Sequence, residues 1–324
     1  MTPLTFPVLR LLADGGFRSG EAIARHFKVS RATVWHALAD VGQIGVELYK
    51  IPGRGYRMAR PVEFLDVDAV CHWLADDAGR FALEVADVIE STNTDLLQQA
   101  GQGAASGRVI AAEWQSHGRG RRGRAWHTDI GGALTFSLLW RFEHGAGNLA
   151  GLSLAIGVAL VRALKLLGVS EARLKWPNDV LWRGAKLAGV LIEVQGEMQG
   201  PSAAVIGIGL NMGLAGPVRQ RIDQPAADLQ TACGTTVERN RALAVVLRET
   251  ARVLDTFARE GFAPLRDEWQ QYHVHQERAV VLIMPDGRQV RGTAAGVADD
   301  GALLLRTAAG VRHFHSGELS LRAA

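Results

Sequence analysis

Apolar residues in the opening segment of the chain recur at the spacing of short helices. Residues 7–13 are mostly apolar, Asp14-Gly15-Gly16 interrupts the pattern, and a second helical stretch begins near Ser19. Ser30 suits the N-cap of a third helix, because its hydroxyl can accept a hydrogen bond from an otherwise unpaired amide of the first turn. Two short helices, a tight turn and a capped third helix predict a helix-turn-helix, which presents its last helix to the major groove of DNA.

A hairpin pattern follows the third helix. Residues 44–50 and 56–58 favour strands, and Pro52-Gly53-Arg54-Gly55 between them is typical of a turn. We therefore predict a winged helix in which the polar face of the third helix and the wing contact DNA. The candidate DNA-binding residues are Ser30, Arg31, Thr33, Trp35, His36 and Arg54.

The distribution of charge supports the DNA-binding interpretation. The first 62 residues hold nine Lys and Arg against four Asp and Glu, a net charge of +5, which leaves −2 for the rest of a chain whose net charge is +3. A basic module joined to a near-neutral one is typical of proteins that bind phosphate backbones. A three-helix packing domain with a solvated basic face and no DNA role stays open as the alternative.

The periodicity changes after Arg60-Pro61, and a proline disfavours helix in the residue before it, so we place a boundary here. Strand-like and helical stretches then alternate, which predicts a mixed α/β domain of catalytic size. The strand-like runs are 109–112, 133–140, 190–194 and 205–210, and the helical ones are 93–100, 149–167 and 239–260. Short strand-like runs and hairpin turns after residue 273 predict a small β-barrel. The predicted domains are 1–62, 63–272 and 273–324.

Composition narrows the class of protein. The 324 residues are 48% hydrophobic and 21% charged, which allows a substantial buried core. The opening residues lack a signal-peptide pattern and no apolar stretch has membrane-spanning length, so we expect a cytoplasmic protein. Cys71 and Cys233 lie far apart without zinc-type spacing, and the histidine pairs at 273/275 and 313/315 lack a third ligand at convincing spacing. We therefore expect neither a disulfide scaffold nor a zinc site.

Residues 118–126, GRGRRGRAW, combine glycines with arginines and contain the spacing GxGxxG. A dinucleotide-binding fold needs a helix directly after that pattern, whereas a strand-like run follows here. The segment instead predicts a loop whose backbone amides and guanidinium groups suit bound anions. A nucleic-acid-binding or disordered basic loop stays open on this segment alone.

Three further segments could carry chemistry, and each is weak alone. Residues 175–179, KWPND, at an expected helix-to-strand transition, combine a lysine, an amide and a carboxylate that suit phosphates, polar ligand edges and Mg²⁺, although an ordinary turn is the simpler interpretation. Lys186 precedes a buried strand-like run, a place where lysines are usually solvated. Gly207 and Gly209 lie in an apolar strand-like run that ends in Asn211, and they would allow a ligand or another backbone to approach closely.

Taken in order, the segments GRGRRGRAW, KWPND, KLAGVLIE and GIGLNM resemble the motifs of the biotin protein ligase family. Ser91-Thr92-Asn93, followed by Gln115, is similar to the biotin pocket of that family. The winged helix in front makes the chain similar to the bifunctional members, which are also biotin operon repressors. The resemblance covers essentially the whole chain.

The resemblance implies an α+β multidomain fold, with an N-terminal winged helix-turn-helix, a central mixed α/β ligase domain of the class II synthetase type and a C-terminal SH3-like β-barrel. It implies that ATP and biotin form biotinyl-5′-AMP, and that biotin passes to a lysine of the biotin carboxyl carrier protein of acetyl-CoA carboxylase. Repression of biotin biosynthesis genes would be a linked activity. The implied partners are that carrier protein, operator DNA and, with adenylate bound, a second copy of the chain; no membrane is involved.

The resemblance also assigns roles to individual residues. Catalysis is implied for Lys186, Arg119 and Arg121. Biotin binding is implied for Ser91, Thr92, Asn93, Gln115, Arg119, Gly120, Arg121 and Lys186. ATP binding is implied for Lys175, Trp176, Asn178, Asp179 and Asn211, and Asp179 would also meet Mg²⁺.

Two alternatives differ in function. A lipoate-type ligase shares the fold and the acyl-adenylate chemistry, although GRGRRGR and KWPND together favour biotin. A non-enzymatic repressor would sense biotin through a decayed ligase domain, but the lysines and arginines of every motif are still present.

Overall fold

The computed structural model describes residues 1–197, 200–315 and 319–323. Three helices and a two-stranded hairpin form its N-terminal part, and the serines at 19 and 30 accept hydrogen bonds from the amides of Ala22 and Thr33 as N-caps. The elements are α1 Thr5–Leu11, α2 Gly20–Phe27, α3 Arg31–Ala39, β1 Leu48–Ile51 and β2 Gly55–Met58. This is the predicted winged helix-turn-helix.

The wing is shorter than its sequence pattern suggests. Residues Val41–Ile44 form a 3₁₀ helix, and the first strand begins at Leu48 rather than at residue 44. Ile44 and Val46 are 1% and 6% exposed, because they complete the core of the three helices instead of a hairpin face. The apolar character of this segment therefore reflects core packing and not strand alternation.

A seven-stranded mixed sheet forms the centre of the molecule, in the strand order β3-β4-β5-β9-β8-β7-β6. Only the pair β3 and β4 is parallel, and the other neighbours are antiparallel. The strands are β3 Ala82–Ile89, β4 Arg108–Gln115, β5 Ala133–Phe142, β6 Ala172–Lys175, β7 Asp179–Trp182, β8 Ala185–Gly196 and β9 Ser202–Asn211.

Helices cover both faces of this sheet. Val109 and Ala111 belong to the main apolar cluster, whereas Ile110 packs with Leu96 of α5, since successive side chains of a strand point to opposite faces. The helices are α4 Val67–Leu74, α5 Thr92–Gly101, α6 Leu152–Leu166, α7 Gly216–Arg221, α8 Leu229–Cys233, α9 Arg239–Glu260 and α10 Arg266–Tyr272.

The C-terminal part is the small SH3-like β-barrel, an antiparallel sheet in the order β13-β12-β11-β10-β14. Val280 and Leu282 alternate with more exposed neighbours and join the same apolar cluster as α6 and α9. The strands are β10 Ala279–Ile283, β11 Gln289–Val297, β12 Leu303–Thr307, β13 Gly310–Phe314 and β14 Ser320–Ala323. The three architectures confirm the predicted fold class, and the domain boundaries stay a prediction. In the described part of the chain, no helix combines the length and the apolar character needed to cross a membrane.

Candidate functional site

Two adjoining cavities lie beside the central strands, near the start of β5 and of β8 and the end of β9. The large cavity has a volume of about 360 Å³ and the small cavity one of about 60 Å³. Five residues line both cavities, namely Gly120, Arg121, Trp126, Asn178 and Lys186. Every residue predicted for biotin or ATP lines at least one cavity, so the structure brings the separate sequence segments together.

The small cavity has a rigid polar wall at the start of α5. Gln115 Oε1 accepts hydrogen bonds from the amide and the hydroxyl of Thr92, at 2.8 and 3.1 Å. Ser137 donates to the side chains of Thr92 and Asn93, at 2.7 and 2.5 Å, and Asn93 donates to Glu193 at 2.8 Å. Because Thr92, Asn93 and Ser137 are buried and the hydrogen bonds already orient the whole group, this wall suits a ligand with fixed polar edges.

The arginine-rich segment folds as a tight loop across both cavities. The amide of Gly120 donates to the carbonyl of Arg124 at 2.7 Å, and a single 3₁₀ turn lies between them. No α-helix follows directly, which agrees with the rejection of a dinucleotide-binding fold. Arg119 pairs with Glu193 at 3.1 Å, and Arg121 donates to Asn178 at 3.2 Å. These contacts hold the loop closed against the sheet.

The KWPND segment is the turn of a hairpin between β6 and β7, so the predicted helix-to-strand transition is wrong. The cause is that α6 ends at Leu166 and a short strand precedes the motif. Trp176 is 1% exposed, and its indole donates to the carbonyl of Gly301 at 3.2 Å. Its side chain therefore packs against the barrel, and the polar groups of the turn face the large cavity.

Lys186 lies at the junction of the two cavities, inside β8 rather than before it. Its ammonium group pairs with the carboxylate of Asp179 at 2.6 Å, and both side chains are about one-fifth exposed, at 19% and 18%. Asn211 is buried and donates to the carbonyls of Lys186 and Ala227, at 3.2 and 2.9 Å. It therefore fixes the backbone beneath the lysine.

The large cavity is strongly basic. Among the described residues its lining holds six cations, Arg121, Arg122, Arg124, Lys175, Lys186 and Arg221, against the two carboxylates of Asp179 and Asp223. Burial lowers the pKa of Lys175, with Asp179 opposing that shift and Lys186 adding to it. Burial also lowers the pKa of Arg121, again against the effect of Asp179. A cavity of this charge suits a polyanion such as a nucleotide triphosphate.

The glycines of β9 allow a close approach, as expected, but side chains of this protein make it rather than a ligand or another backbone. A Cβ atom at Gly209 would lie 2.5 Å from the ring of Trp126, and one at Gly207 would lie 2.2 Å from Asn93. Sequence reasoning assigned no role to Trp126 or Arg221, although both line the large cavity. The position of Trp126 at the end of the arginine-rich motif could have indicated a role in the site. Nothing in the sequence pattern around Arg221 indicated one.

The predicted DNA-binding residues of the winged helix are all exposed. The residues on or next to α3, which are Ser30, Arg31, Thr33, Trp35 and His36, are all exposed. Trp35 is 48% exposed, which is unusual for a large apolar side chain. Arg54 of the wing is also exposed, with its guanidinium 4.3 Å from the centre of the Phe17 ring.

Residues 85–211 match the biotin/lipoate A/B protein ligase family, residues 275–322 match the biotin protein ligase C-terminal domain, and residues 6–57 match an HTH domain. The chain is 37% identical to the bifunctional ligase/repressor BirA of Salmonella typhimurium, over 99% of this chain and 98% of that one. It is 36% identical to a biotin–[acetyl-CoA-carboxylase] ligase of Paracoccus denitrificans, over 68% of this chain and 92% of that one.

The solved structures include a biotin protein ligase from Aquifex aeolicus in complex with biotin and ATP. It superposes with a TM-score of 0.64 at 27% identity, and covers 75% of this chain and 99% of that one. The full-length sequence similarity and the similarity of fold both point to biotin protein ligases. The chain belongs to the biotin protein ligase family.

Proposed function

We propose that this protein is an ATP-dependent biotin protein ligase that is also a transcriptional repressor. The observation that carries the ligase proposal is the position of Lys186, whose ammonium group lies where a small polar cavity meets a large basic one. Biotin would occupy the small cavity, against Ser91, Thr92, Asn93 and Gln115, and ATP would occupy the large one. Bound in this way, the biotin carboxylate and the α-phosphate meet beside the lysine.

In the first half-reaction a carboxylate oxygen of biotin attacks the α-phosphorus of ATP, and the bond from that phosphorus to the bridging oxygen of pyrophosphate breaks. Two anions must approach each other, so the cations of Lys186, Arg119 and Arg121 stabilise the charge that develops. Lys186 would exchange its contact with Asp179 for one with the reacting anions. Lys175, Asn178 and Asn211 would position the nucleotide, and the backbone of Gly120 would complete the loop over biotin.

Magnesium would neutralise part of the triphosphate charge. Because Mg²⁺ is usually held by one or two carboxylates together with substrate phosphates, a complete protein cage is not needed. Asp179 lines the large cavity and fits this requirement. Trp176 contributes to nucleotide binding through the hairpin that its packing holds in place.

In the second half-reaction the neutral amine of an acceptor lysine attacks the acyl carbon of biotinyl-5′-AMP. The bond from that carbon to the phosphate oxygen breaks, AMP leaves, and the nitrogen loses a proton as the amide forms. The arginine loop would shield the mixed anhydride from water until the acceptor arrives. We propose the biotin carboxyl carrier protein of acetyl-CoA carboxylase as the acceptor. We also propose the cytoplasm as the location, because both cysteines are free thiols.

For the repressor activity, we propose that the exposed face of α3 and the wing bind operator DNA of biotin biosynthesis genes. Ser30, Arg31, Thr33, Trp35, His36 and Arg54 would contact the duplex. We also propose that adenylate binding favours a homodimer. Such a dimer would present two winged helices, which matches the two half-sites of a palindromic operator. Equal sedimentation of the free protein and of the protein with biotin and ATP would count against the dimer.

The ligase is tested with purified protein, MgATP and biotin, by measuring pyrophosphate release and then transfer of labelled biotin to a carrier domain. Biotin should support both steps and lipoate neither. Lys186→Met should lower the rate of adenylate formation at least about a hundredfold, since it removes a charge that stabilises the transition state. The matched control is Lys165→Met, at an exposed lysine that lines neither cavity and should keep wild-type activity. Turnover with lipoate would favour the lipoate-type ligase. Tight biotin binding without turnover would favour the non-enzymatic repressor that senses biotin.

A further inference from the structure

The segment of residues 128–132 contacts the winged helix and is connected to stretches that line the large cavity. Ile130 is 2% exposed and belongs to the apolar cluster of the winged helix, together with Leu12 and Val62. A Cβ atom at Gly45 would lie 2.5 Å from the Cβ of Asp129, so the turn after the 3₁₀ helix lies directly on this segment. The segment therefore forms part of the core of the DNA-binding module, although it lies in the middle of the ligase domain.

The same segment is tied to the walls of the large cavity. It begins next to His127, which lines that cavity and follows the arginine loop. At its other end, the carbonyl of Gly132 accepts hydrogen bonds from the amides of Met212 and Gly213, at 2.8 and 3.1 Å. Gly213 leads into a stretch that includes residues 221–224, which line the large cavity.

Arg60, at the end of the winged helix, joins these two walls. Its guanidinium donates to the carboxylate of Asp129 at 2.6 Å and to the carbonyl of Gly213 at 3.2 Å. Asp129 is 2% exposed, and its second carboxylate oxygen is buried without a hydrogen-bond partner among the described residues. Burial raises the pKa of Asp129, whereas Arg60 acts in the opposite direction. Loss of Arg60 would leave a buried carboxylate unpaired, so the segment would have to move or take up a proton.

We propose that Arg60 is a positioning residue of the nucleotide site, supplied by the DNA-binding module, and that it couples nucleotide binding to the placement of the winged helix. This inference rests on the proposed function, because it assumes that ATP occupies the large cavity. Arg60 touches neither cavity and acts through Asp129 and Gly213. The winged helix thus takes part in building the ligase site.

A second ion pair separates this role from simple attachment of the two parts. Arg10 of α1 pairs with Asp87 of β3 at 2.6 Å, which also joins the winged helix to the ligase domain. Neither residue lines a cavity. If Arg60 only held the parts together, Arg10→Ala would have the same effect as a change at Arg60.

The experiment compares full-length wild type with Arg60→Gln, Arg60→Lys and Arg10→Ala. We expect Arg60→Gln to raise the KM for ATP about tenfold and to change kcat by less than about threefold, a size typical of coupling between sites. Arg60→Lys should recover part of the difference, and Arg10→Ala should keep the wild-type KM. Equal KM values for Arg60→Gln and Arg10→Ala would overturn the proposal.

Hydrogen exchange of the ligand-free proteins gives a readout that does not depend on catalysis. Amides of residues 119–127 and 213–227 should exchange faster in Arg60→Gln than in Arg10→Ala, because only the first change releases both walls. Equal exchange in these stretches would contradict the coupling even in an active ligase. Wild-type protein without ligase activity would instead refute the proposed function, while the exchange comparison would still test Arg60.

Discussion

At the scale of single residues, the two cavities depend on how closely Trp126 approaches β9. The indole ring of Trp126 occupies the space above Gly209 and lines both cavities. Lys186 Nζ lies 5.7 Å from the centre of a ring of Trp126. Only a residue without a side chain at position 209 leaves room for this packing. Trp126 is thus the dividing wall between the predicted biotin and nucleotide sites.

Gly209→Ala should therefore weaken the binding of both ligands. The added Cβ would lie 2.5 Å from ring carbons of Trp126, so the ring has to move into one of the cavities. We expect the Kd for biotin and that for a non-hydrolysable ATP analogue, measured by calorimetry, to rise at least about tenfold each, which corresponds to about 1.4 kcal/mol.

Gly79→Ala is the matched control, because no described residue beyond the chain neighbours lies within 4 Å of the Cβ it would add. It should bind both ligands as the wild type does. Unchanged affinities in Gly209→Ala would show that Trp126 does not shape the ligand sites.

At the scale of elements, the arginine loop contains neighbouring arginines in different environments. Arg121 is partly buried, lines both cavities and donates to Asn178. Arg122 is exposed, lines only the large cavity and has a positive φ of 59°. We therefore predict that Arg121, rather than Arg122, retains the adenylate.

Arg121→Gly should raise the non-specific labelling of lysines in bystander proteins, because biotinyl-5′-AMP would escape before the acceptor arrives. We expect at least a severalfold rise in biotin on added serum albumin for each biotinyl-5′-AMP formed, a ratio that corrects for any loss of adenylate synthesis in the variant. Arg122→Gly is a close control, since it also removes an arginine of the loop and a glycine suits its positive φ. Equal labelling by the two variants would remove the retaining role of Arg121.

Long elements with one apolar period were predictable, whereas some short ones, among them β6 and β7, were not. The 22 residues of α9 and the apolar β9 follow their sequence patterns, because their burial is local and continuous. The four-residue strands β6 and β7 exist through pairing with each other and with β8, which no local pattern reports. The predicted start of the first wing strand was wrong for a related reason, because the apolar residues before Leu48 belong to the helical core.

The motifs predicted the residues of the candidate site, but not the contacts among them. Asn93 and Glu193 are bonded across 100 positions of sequence, and Arg60 reaches Asp129 across 69. Such pairs depend on the fold as a whole. For that reason the sequence indicated a separable N-terminal module, whereas the structure shows Ile130 of the central domain inside its core.

At the scale of the whole molecule, the junction between the ligase domain and the barrel contains a buried histidine. His273 is 5% exposed, and its ring centre lies 4.5 Å from that of Trp269. Next to it, the amide of Val274 donates to the carbonyl of Leu174 at 2.8 Å, which ties the chain entering the barrel to β6. In the described part of the chain no three His, Cys, Asp or Glu residues cluster as metal ligands. Glu318, which follows the histidine pair 313/315 in the sequence, lies outside that part. The side chain of His273 is therefore largely removed from solvent.

Burial, followed by the nearby His275, lowers the pKa of His273 to about 3. An unfolded histidine has a pKa of about 6.5, so between these values the unfolded chain binds a proton that the native protein does not. Acid consequently favours unfolding through this group, and its stabilising effect is complete only above about pH 6.5. Between pH 7.5 and 5.5 the loss attributable to His273 should be about 1.4 kcal/mol.

This loss is measured by urea unfolding of wild type and His273→Gln at the two pH values. The variant will have its own stability at pH 7.5, so the informative quantity is the change in unfolding free energy between the two pH values. That change should be smaller in His273→Gln by about 1.4 kcal/mol, since glutamine has no proton to gain. His313→Gln, at an exposed histidine of β13, should keep the wild-type change. A wild-type change in His273→Gln would mean that His273 is already accessible to protons in the native protein, and that the junction opens without unfolding.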